Sequence, residues 1–201
     1  MLIKTIKEVK TYAAVNASTQ LDSINPYINE VEQRYIIPAI GQAMYDELHT
    51  AYQAAGTLAD KYQKLLDKLQ PAIVNLAYSV YLPFLTVQFN EQGIQITSTE
   101  NKKAAFEWMI DKADKGFQEI GFNALESALT FMEEKRTDYG AWVSSTAFTM
   151  NFELLLHNAV EFSQYFNINN SRRLFKVIAF IIRDIQFSKV APITSVELLN
   201  D

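Results

Sequence analysis

The chain has 201 residues, of which 49% are hydrophobic and 20% charged, a balance that excludes intrinsic disorder. Its net charge of −5, with no basic run longer than two residues, excludes the cationic face that holds nucleic acid by its phosphates. The absence of cysteine excludes disulfides and thiolate chemistry and fits a reducing cytoplasm. With no signal-peptide pattern at the N-terminus, we expect a cytoplasmic protein with one helical domain over residues 1–201.

Helices dominate the expected secondary structure because glycine and proline are rare and strong helix formers are plentiful. Thr5 and Glu8 form a capping-box pattern, which predicts a first helix that runs to about Ala14. A second helix is expected to begin near Asn25, since Pro26 fits best in a first turn.

Three further helices are predicted before residue 90. Pro38 opens the first of them, which ends at Gly56. Apolar residues at helical spacing between residues 58 and 69 predict an amphipathic helix, and Pro71 begins an uncharged central helix that ends near Phe89.

The uncharged stretch from Leu69 to Asn90 is long enough to span a bilayer. However, polar side chains such as Gln70 and Asn75 recur through it, and Pro83 interrupts its backbone ladder. These features favour a central helix that is buried in protein, and no membrane partner is expected.

The segment from residue 90 to 99 differs from the rest of the chain. Gly93 supplies a turn and the following residues alternate with a period of two, which predicts half of a small β-hairpin or an extended protruding loop. One long helix is expected from Glu100 to about Lys135, with Trp108 and Met109 among its buried residues.

The two ends of the chain resemble each other. A shift of 153 positions gives six identities between residues 8 and 28, against roughly one expected by chance. With one extra residue after these identities, which makes the shift 154, Pro38 aligns with Pro192. We therefore predict an all-α, multi-helix bundle with an internal helical repeat, whose copies cover about 5–56 and 155–201. The identical pairs are Glu8 and Glu161, Tyr12 and Tyr165, Asn16 and Asn169, Ser18 and Ser171, Leu21 and Leu174, and Ile28 and Ile181.

No catalytic, metal-binding or cofactor-binding motif is present. His49 and His157 are the only histidines, and neither occurs in a zinc-binding pattern. Glu153 and His157 are four residues apart, a spacing more typical of a contact on a helix surface. The serines at 144 and 145 lack the glycines of a nucleophile elbow. We expect a protein that is not an enzyme and binds no cofactor or metal.

A wider pattern recurs through the N-terminal third of the chain and at Tyr165–Arg173. It resembles a family of helical proteins from gut bacteria and their prophages, whose genes lie near phage head and tail genes. The resemblance implies a phage structural protein of the head–tail connector or neck type. The N-terminal pattern consists of Glu8, Val9, Tyr12, Ile24 to Ile28, Glu32, Tyr35 to Gly41 and Leu48.

The resemblance favours a non-enzymatic structural protein that acts by oligomerisation, with further copies of itself or other virion proteins as partners. The segment around Gly93 could add a strand to a neighbouring subunit, or pack as a surface hairpin on its own bundle. Tyr139 and Trp142, which lie near predicted loops, could anchor an interface. Arg172 and Arg173 could do the same, or could lie in a solvated first turn of a helix. The candidate interface residues are Gly93, Ile94, Gln95, Ile96, Thr97, Tyr139, Trp142, Arg172 and Arg173.

An alternative hypothesis is a helical binding module that holds a peptide or an apolar ligand in a groove between the two repeats. An enzyme would require titratable groups that only the folded chain brings together. The expected location is the cytoplasm, with incorporation into a virion as the consequence of the connector hypothesis.

Overall fold

The computed structural model describes residues 1–13, 19–85, 87–90, 93–96, 107–152, 154–169 and 171–192. For residues 87–90, 93–96 and 151–152 only the backbone is described. Contacts divide the chain into two compact units, Met1–Ala141 (unit 1) and Trp142–Asp201 (unit 2). The expectation of one domain over the whole chain stays a prediction.

The described residues are mainly helical, which confirms the predicted all-α class. In the ranges given above, two π-helical turns and one 3₁₀ turn interrupt or extend the α-helices. The elements are α1 (Ile6–Tyr12), α2 (Leu21–Val31), a π turn (Glu32–Ile36), α3 (Ile37–Ile40), α4 (Gln42–Gln53), α5 (Asp60–Leu85), β1 (Val87–Asn90), β2 (Gly93–Ile96), α6 (Glu107–Glu134), a 3₁₀ turn (Arg136–Asp138), α7 (Gly140–Val143), α8 (Thr146–Phe152), α9 (Ala159–Tyr165), α10 (Arg172–Ile185) and a second π turn (Gln186–Val190).

Helix α5 is the centre of unit 1, and α1, α2, α4 and α6 pack against it. Its middle turns, residues 72–78, are buried. Two amide side chains join α5 to the N-terminal segment. Gln70 donates to the carbonyl of Leu2, before α1, at 2.9 Å, and Asn75 donates to that of Tyr12, in α1, at 3.3 Å. In the part of the chain that the structure describes, no helix is long and apolar enough to cross a membrane.

Helix α5 unites two helices that were predicted separately. Pro71 lies inside it and removes only one backbone bond, the one that would reach the carbonyl of Asp67. The residues on either side of the proline are buried against neighbouring helices, and this burial outweighs the lost bond. The predicted helix start at Pro71 is therefore wrong. The helix also ends earlier than predicted, at Leu85, because Val87 begins a strand.

Helix α6 runs beside α5, and the two helices approach closely at Gly121. A Cβ atom at Gly121 would lie 2.7 Å from Cγ of Leu76, so only glycine allows this approach without a shift. The predicted long helix is confirmed from Glu107 to Glu134. Residues 100–106, where it was expected to begin, lie outside the described residues.

The capping box of α1 is present as predicted. The Thr5 hydroxyl accepts the Glu8 N–H, and the Glu8 carboxylate accepts the Thr5 N–H. Helix α2 begins at Leu21, earlier than predicted. Pro26 lies inside it and removes only the bond to Asp22, which is in the first turn, so the proline does not mark the helix start.

A π turn joins α2 to α3. Its wider spacing is seen in the N–H of Ile37, which bonds the carbonyl of Glu32 five residues earlier. Pro38 follows directly and has no N–H to donate to the carbonyl of Arg34. The wider π turn lets the helix continue past this missing hydrogen bond. The predicted helix start at Pro38 is therefore wrong. The break lies at Gly41, whose φ of 79° is unfavourable for other residues.

The segment after α5 forms a β-hairpin. Strands β1 and β2 pair antiparallel, with Val87 opposite Ile96 and Asn90 opposite Gly93. Of the two alternatives open in the sequence, the hairpin is confirmed. Residues 91–92 and 97–99 lie outside the described part of the chain.

Unit 2 contains α9 and α10 around a small core. Ring contacts help to hold it together, with Phe162 and Phe175 at 6.1 Å between ring centroids. The second π turn extends α10, and Pro192 follows it as Pro38 follows the first. The core consists of Leu154, Ala159, Ile168 and Phe175, with Phe162, Ala179 and Ile182 packed against it.

Candidate interaction surface

The helix pair α9–α10 of unit 2 repeats the local geometry of the pair α1–α2 of unit 1. Helices α1 and α9 have the same length and begin 153 positions apart. At their starts, Thr5 accepts the N–H of Glu8 at 3.3 Å, and Asn158 accepts the N–H of Glu161 at 2.9 Å. Each glutamate also accepts the N–H of the residue before the cap, at 2.7 Å in both units. The two helix starts are therefore built in the same way.

A buried polar side chain begins each π turn and reaches the backbone that precedes the first helix of its pair. In unit 1, Oε1 of Glu32 accepts the N–H of Leu2 at 2.6 Å. In unit 2, Oε1 of Gln186 accepts the N–H of Leu155 at 2.8 Å. The other oxygen of Glu32 accepts the hydroxyl of Tyr45 at 2.7 Å. Burial, and then this bond, raises the pKa of Tyr45. Both polar side chains thus tie their two helices together.

The register of the second helices differs from the predicted one. A shift of 153 aligns Ile28 with Ile181, but Ile28 is fully buried and Ile181 is 45% exposed. A shift of 154 aligns Ile28 with Ile182, which packs on the core of unit 2, and it also superposes the two π turns. The shift therefore changes from 153 to 154 between the first and the second helix of each pair, and not after Ile28. The duplication itself stays a prediction.

The two helix pairs differ in what covers them. In unit 1, α5 packs over α1 and α2, and the ring of Tyr27 stacks on that of Tyr81 at 4.7 Å. The matching positions of unit 2 carry large apolar side chains that are about half exposed or more. The face that α5 covers in unit 1 is therefore exposed to solvent in unit 2. The matched positions are Leu2 and Leu155, Tyr12 and Tyr165, Ala13 and Phe166, Tyr27 and Ile181, and Val31 and Ile185.

Together with the outer side of α10, this face forms a broad apolar surface. Phe180 is 69% exposed and Tyr165 is 80% exposed. Because patches of this kind mark interaction sites in soluble proteins, it is the best candidate functional site among the described residues. The α9–α10 surface comprises Tyr165, Phe166, Val177, Phe180, Ile181 and Ile185.

The apolar side chains of α10 cover a wider arc than its core contacts occupy, and its charged residues lie together on the remaining side. Phe175 and Ile182 point into the core, while Val177 and Ile181 continue the apolar arc into solvent. A surface helix normally has an apolar stripe on the core side alone. The sequence signal that identifies this surface is the greater apolar content of residues 174–187 relative to their counterparts in the first pair. The charged residues from Arg172 to Val190 are mostly basic: Arg172, Arg173, Lys176, Arg183 and Lys189, against Asp184 alone.

A second exposed apolar group lies in unit 1, where α5 ends and α6 begins. The helices run antiparallel, since Ser79 donates a hydrogen bond to Asp114 and Tyr78 stacks on Phe117. The C-terminal end of α5 and the N-terminal end of α6 therefore lie at the same end of the helix pair. Trp108, which was predicted to be buried, is 61% exposed, and Met109 is also exposed, so that prediction is wrong. The α5–α6 tip comprises Phe84, Leu85, Trp108 and Met109.

Most of the residues predicted for an interface lie elsewhere. Gly93 to Ile96 form β2, and Thr97 lies outside the described residues. Whether this segment binds a neighbour stays a prediction. Arg172 and Arg173 lie in the first turn of α10, directly after its cap Ser171, and thus border the α9–α10 surface.

Tyr139 and Trp142 are both buried. The Tyr139 hydroxyl donates to the carbonyl of Lys61 at 2.8 Å, and its ring contacts Phe131. Trp142 packs edge-on against Phe148 at 4.7 Å between ring centroids. Both are core residues, because their rings and the Tyr139 hydroxyl are used inside the fold. The hypothesis that they are exposed interface anchors is therefore replaced by a structural role.

The titratable groups of the described residues form no candidate metal centre. No three His, Cys, Asp or Glu residues there are placed to hold a metal ion. His49 stacks on Tyr45 at 5.8 Å, and His157 lies 3.5 Å from the carboxylate of Glu161. Glu153, the predicted neighbour of His157, lies outside the described residues. Among the residues described, Glu32 is the only buried carboxylate, and its hydrogen bonds hold the fold together.

Comparison with known proteins identifies a family. The model of a family described as "Family of unknown function (DUF6712)" matches residues 36–151, more than half of the chain. The matched range includes the α5–α6 tip and ends before α9. No curated protein and no solved structure matches the chain.

Proposed function

The chain belongs to this family of unknown function, and we propose that it is a non-enzymatic assembly protein that acts by binding further copies of itself. The observation that carries the proposal is the α9–α10 surface, where a set of large apolar side chains is open to solvent. Burying one such side chain stabilises a complex by about 1.5–3 kcal/mol before the costs of association are subtracted. Several of them on one surface provide enough to drive self-association.

The charged groups of the described residues also fit an assembly role. Where polar groups are buried, as at Glu32 and Gln186, they satisfy backbone donors and stabilise helix pairs. The arrangement thus supports a scaffold that presents surfaces to a partner.

We propose that the assembly is the head–tail neck of a phage particle. The support for this setting is the resemblance of the N-terminal pattern and of Tyr165–Arg173 to prophage-encoded structural proteins. A ring of mildly acidic subunits would let DNA pass without adhering to it, because phosphates are not attracted to an acidic lining. The proposal predicts that the protein is detected by mass spectrometry in purified particles of its phage, and its absence from them would contradict this setting.

Sedimentation velocity at rising protein concentration tests the self-association. The wild-type chain should shift to larger species, and Phe180→Asp should remove that shift because it places a charge in the α9–α10 surface. Ile120→Asp is the matched control, since Ile120 is also an exposed apolar residue on a helix but lies outside both apolar surfaces. A wild-type chain that stays monomeric throughout would contradict the proposal.

The alternative of a helical binding module, with a ligand between the repeats, stays a prediction. No observation in the described ranges favours it over self-association.

A further inference from the structure

The α9–α10 surface needs an occupant, and the helix pair of unit 1 indicates its chemistry. There, the matching face is covered by α5, a helix whose contacting part is uncharged and largely apolar. A second copy of the chain can supply an apolar helical cover of this kind.

The α5–α6 tip offers such a cover. It presents the ends of two helices, and its largest side chain is Trp108, a residue type that often dominates the binding energy of interfaces. The tip lies at the N-terminal end of α6. At 1.5 Å per residue, the 28 residues of α6 place the tip about 42 Å from the C-terminal end of that helix.

The charges of the two surfaces are complementary. The first turns of α6 carry an excess of acidic residues, whereas α10 and its π turn carry an excess of basic ones. Pairing two α9–α10 surfaces with each other would bring like charges together, which is unfavourable. The charged residues of α6 from Glu107 to Glu119 are Glu107, Asp111, Asp114 and Glu119, against Lys112 and Lys115.

We propose that the α5–α6 tip of one copy docks on the α9–α10 surface of the next, in a head-to-tail interface. This inference rests on the proposed self-association and names its two surfaces. An interface between two different surfaces leaves one of each available on every dimer. It therefore continues to further copies and closes into a ring when the rotation between subunits permits.

Mixing two variants of the full chain tests the proposal by light scattering. Trp108→Glu disables the tip and Phe180→Asp disables the α9–α10 surface, and both replaced side chains are mostly exposed, so neither change removes core packing. Each variant alone should be monomeric. Their mixture should form a dimer that grows no further. The intact tip of Phe180→Asp binds the intact α9–α10 surface of Trp108→Glu, and the two surfaces left over are the disabled ones.

Two outcomes would overturn the head-to-tail interface. One is a Trp108→Glu variant that associates like the wild type, which would show that the tip is not used. The other is a mixture that stays monomeric. If the wild type self-associates in these experiments, the proposed function stands and only the pairing of surfaces fails. A monomeric wild type would instead contradict the proposed function itself.

Disulfide trapping gives a second readout that does not depend on disrupting the interface. The chain has no cysteine, so a single cysteine introduced on each surface reports only on their contact. Met109→Cys mixed with Val177→Cys should give a crosslinked dimer under mild oxidation, and neither variant should crosslink efficiently by itself. Rapid crosslinking of Val177→Cys with itself would show that two α9–α10 surfaces pair, and would overturn the proposal.

Discussion

The backbone N–H of Leu155 donates a hydrogen bond of 2.8 Å to the side-chain oxygen of Gln186, thirty-one positions later in the chain. Leu2 and Glu32 are joined in the same way, at 2.6 Å. Each bond links the backbone before a first helix to the π turn after a second. The shared device explains why both helix pairs have the same arrangement, although they differ in what covers them.

Removing the acceptor in unit 2 should loosen the start of its helix pair. Gln186→Leu leaves the N–H of Leu155 without its partner, which costs about 1–3 kcal/mol. Amide hydrogen exchange at Leu155 should become faster in this variant. Gln186→Glu is the control, because it keeps an acceptor and copies Glu32, and its exchange should change little. Equal protection of Leu155 in Gln186→Leu and in the wild type would argue against the bond.

The corresponding change in unit 1 should be more severe. Glu32→Leu removes the acceptor of two donors, the N–H of Leu2 and the hydroxyl of Tyr45. Each donor left unpaired in a buried position costs about 1–3 kcal/mol. Urea unfolding should show a large loss of stability for Glu32→Leu and a smaller one for Tyr45→Phe, which leaves the bond to Leu2 intact. Similar losses for both variants would mean that the link to Leu2 contributes little.

Two glycines of α6 should respond in opposite directions to replacement by alanine. At Gly121 the new Cβ would lie 2.7 Å from Leu76 Cγ and 3.2 Å from the Leu76 backbone nitrogen, so the Leu76 side chain or the spacing of α5 and α6 must shift. The expected loss is about 1–3 kcal/mol. At Gly116 nothing lies within 4 Å, and alanine should stabilise the helix by about 0.5–1 kcal/mol. Thermal unfolding of the two variants measures the contrast, and equal effects would contradict the close approach at Gly121.

The free energy of unfolding should fall as the pH rises above 10. Burial raises the pKa of Tyr78 and that of Tyr139 to about 12, from an ordinary value of 10.0. Below pH 10 both side chains are neutral in the folded and the unfolded chain, so their contribution is fully present. Between pH 10 and 12 they ionise in the unfolded chain first, and the contribution is lost progressively.

Urea unfolding at several pH values from 8 to 12 measures this loss. Tyr78→Phe, which has nearly the same shape, should show a shallower decline than the wild type because one of the raised tyrosine titrations is gone. An identical pH dependence in both proteins would contradict the role of Tyr78.

Much of the fold could be predicted because it depends on local signals. The capping box at Thr5 and Glu8 needs only neighbouring residues, and so does the short-range strand pairing of Asn90 with Gly93. The errors occurred at prolines. A proline removes one backbone bond, and tertiary packing decides whether the helix continues. Around Pro71 and Pro38 the neighbouring residues are buried, and the helix continues through both.

The candidate surface could be predicted only in part. The apolar content of α10 is visible in the sequence, but an apolar face is ordinarily a sign of burial, as was expected for Trp108 and Met109. Whether a helix end is covered depends on elements distant in the chain. Tyr139 and Trp142 show the opposite error, since aromatic residues near loops are buried by contacts that sequence spacing does not reveal.

The mass of the full chain in solution, measured by light scattering over a range of concentrations, tests the central claim most directly. Self-association predicts a mass that rises above the 22.9 kDa of one chain and reaches a plateau at a whole multiple of it when a ring closes. A mass of 22.9 kDa at every concentration would contradict the account.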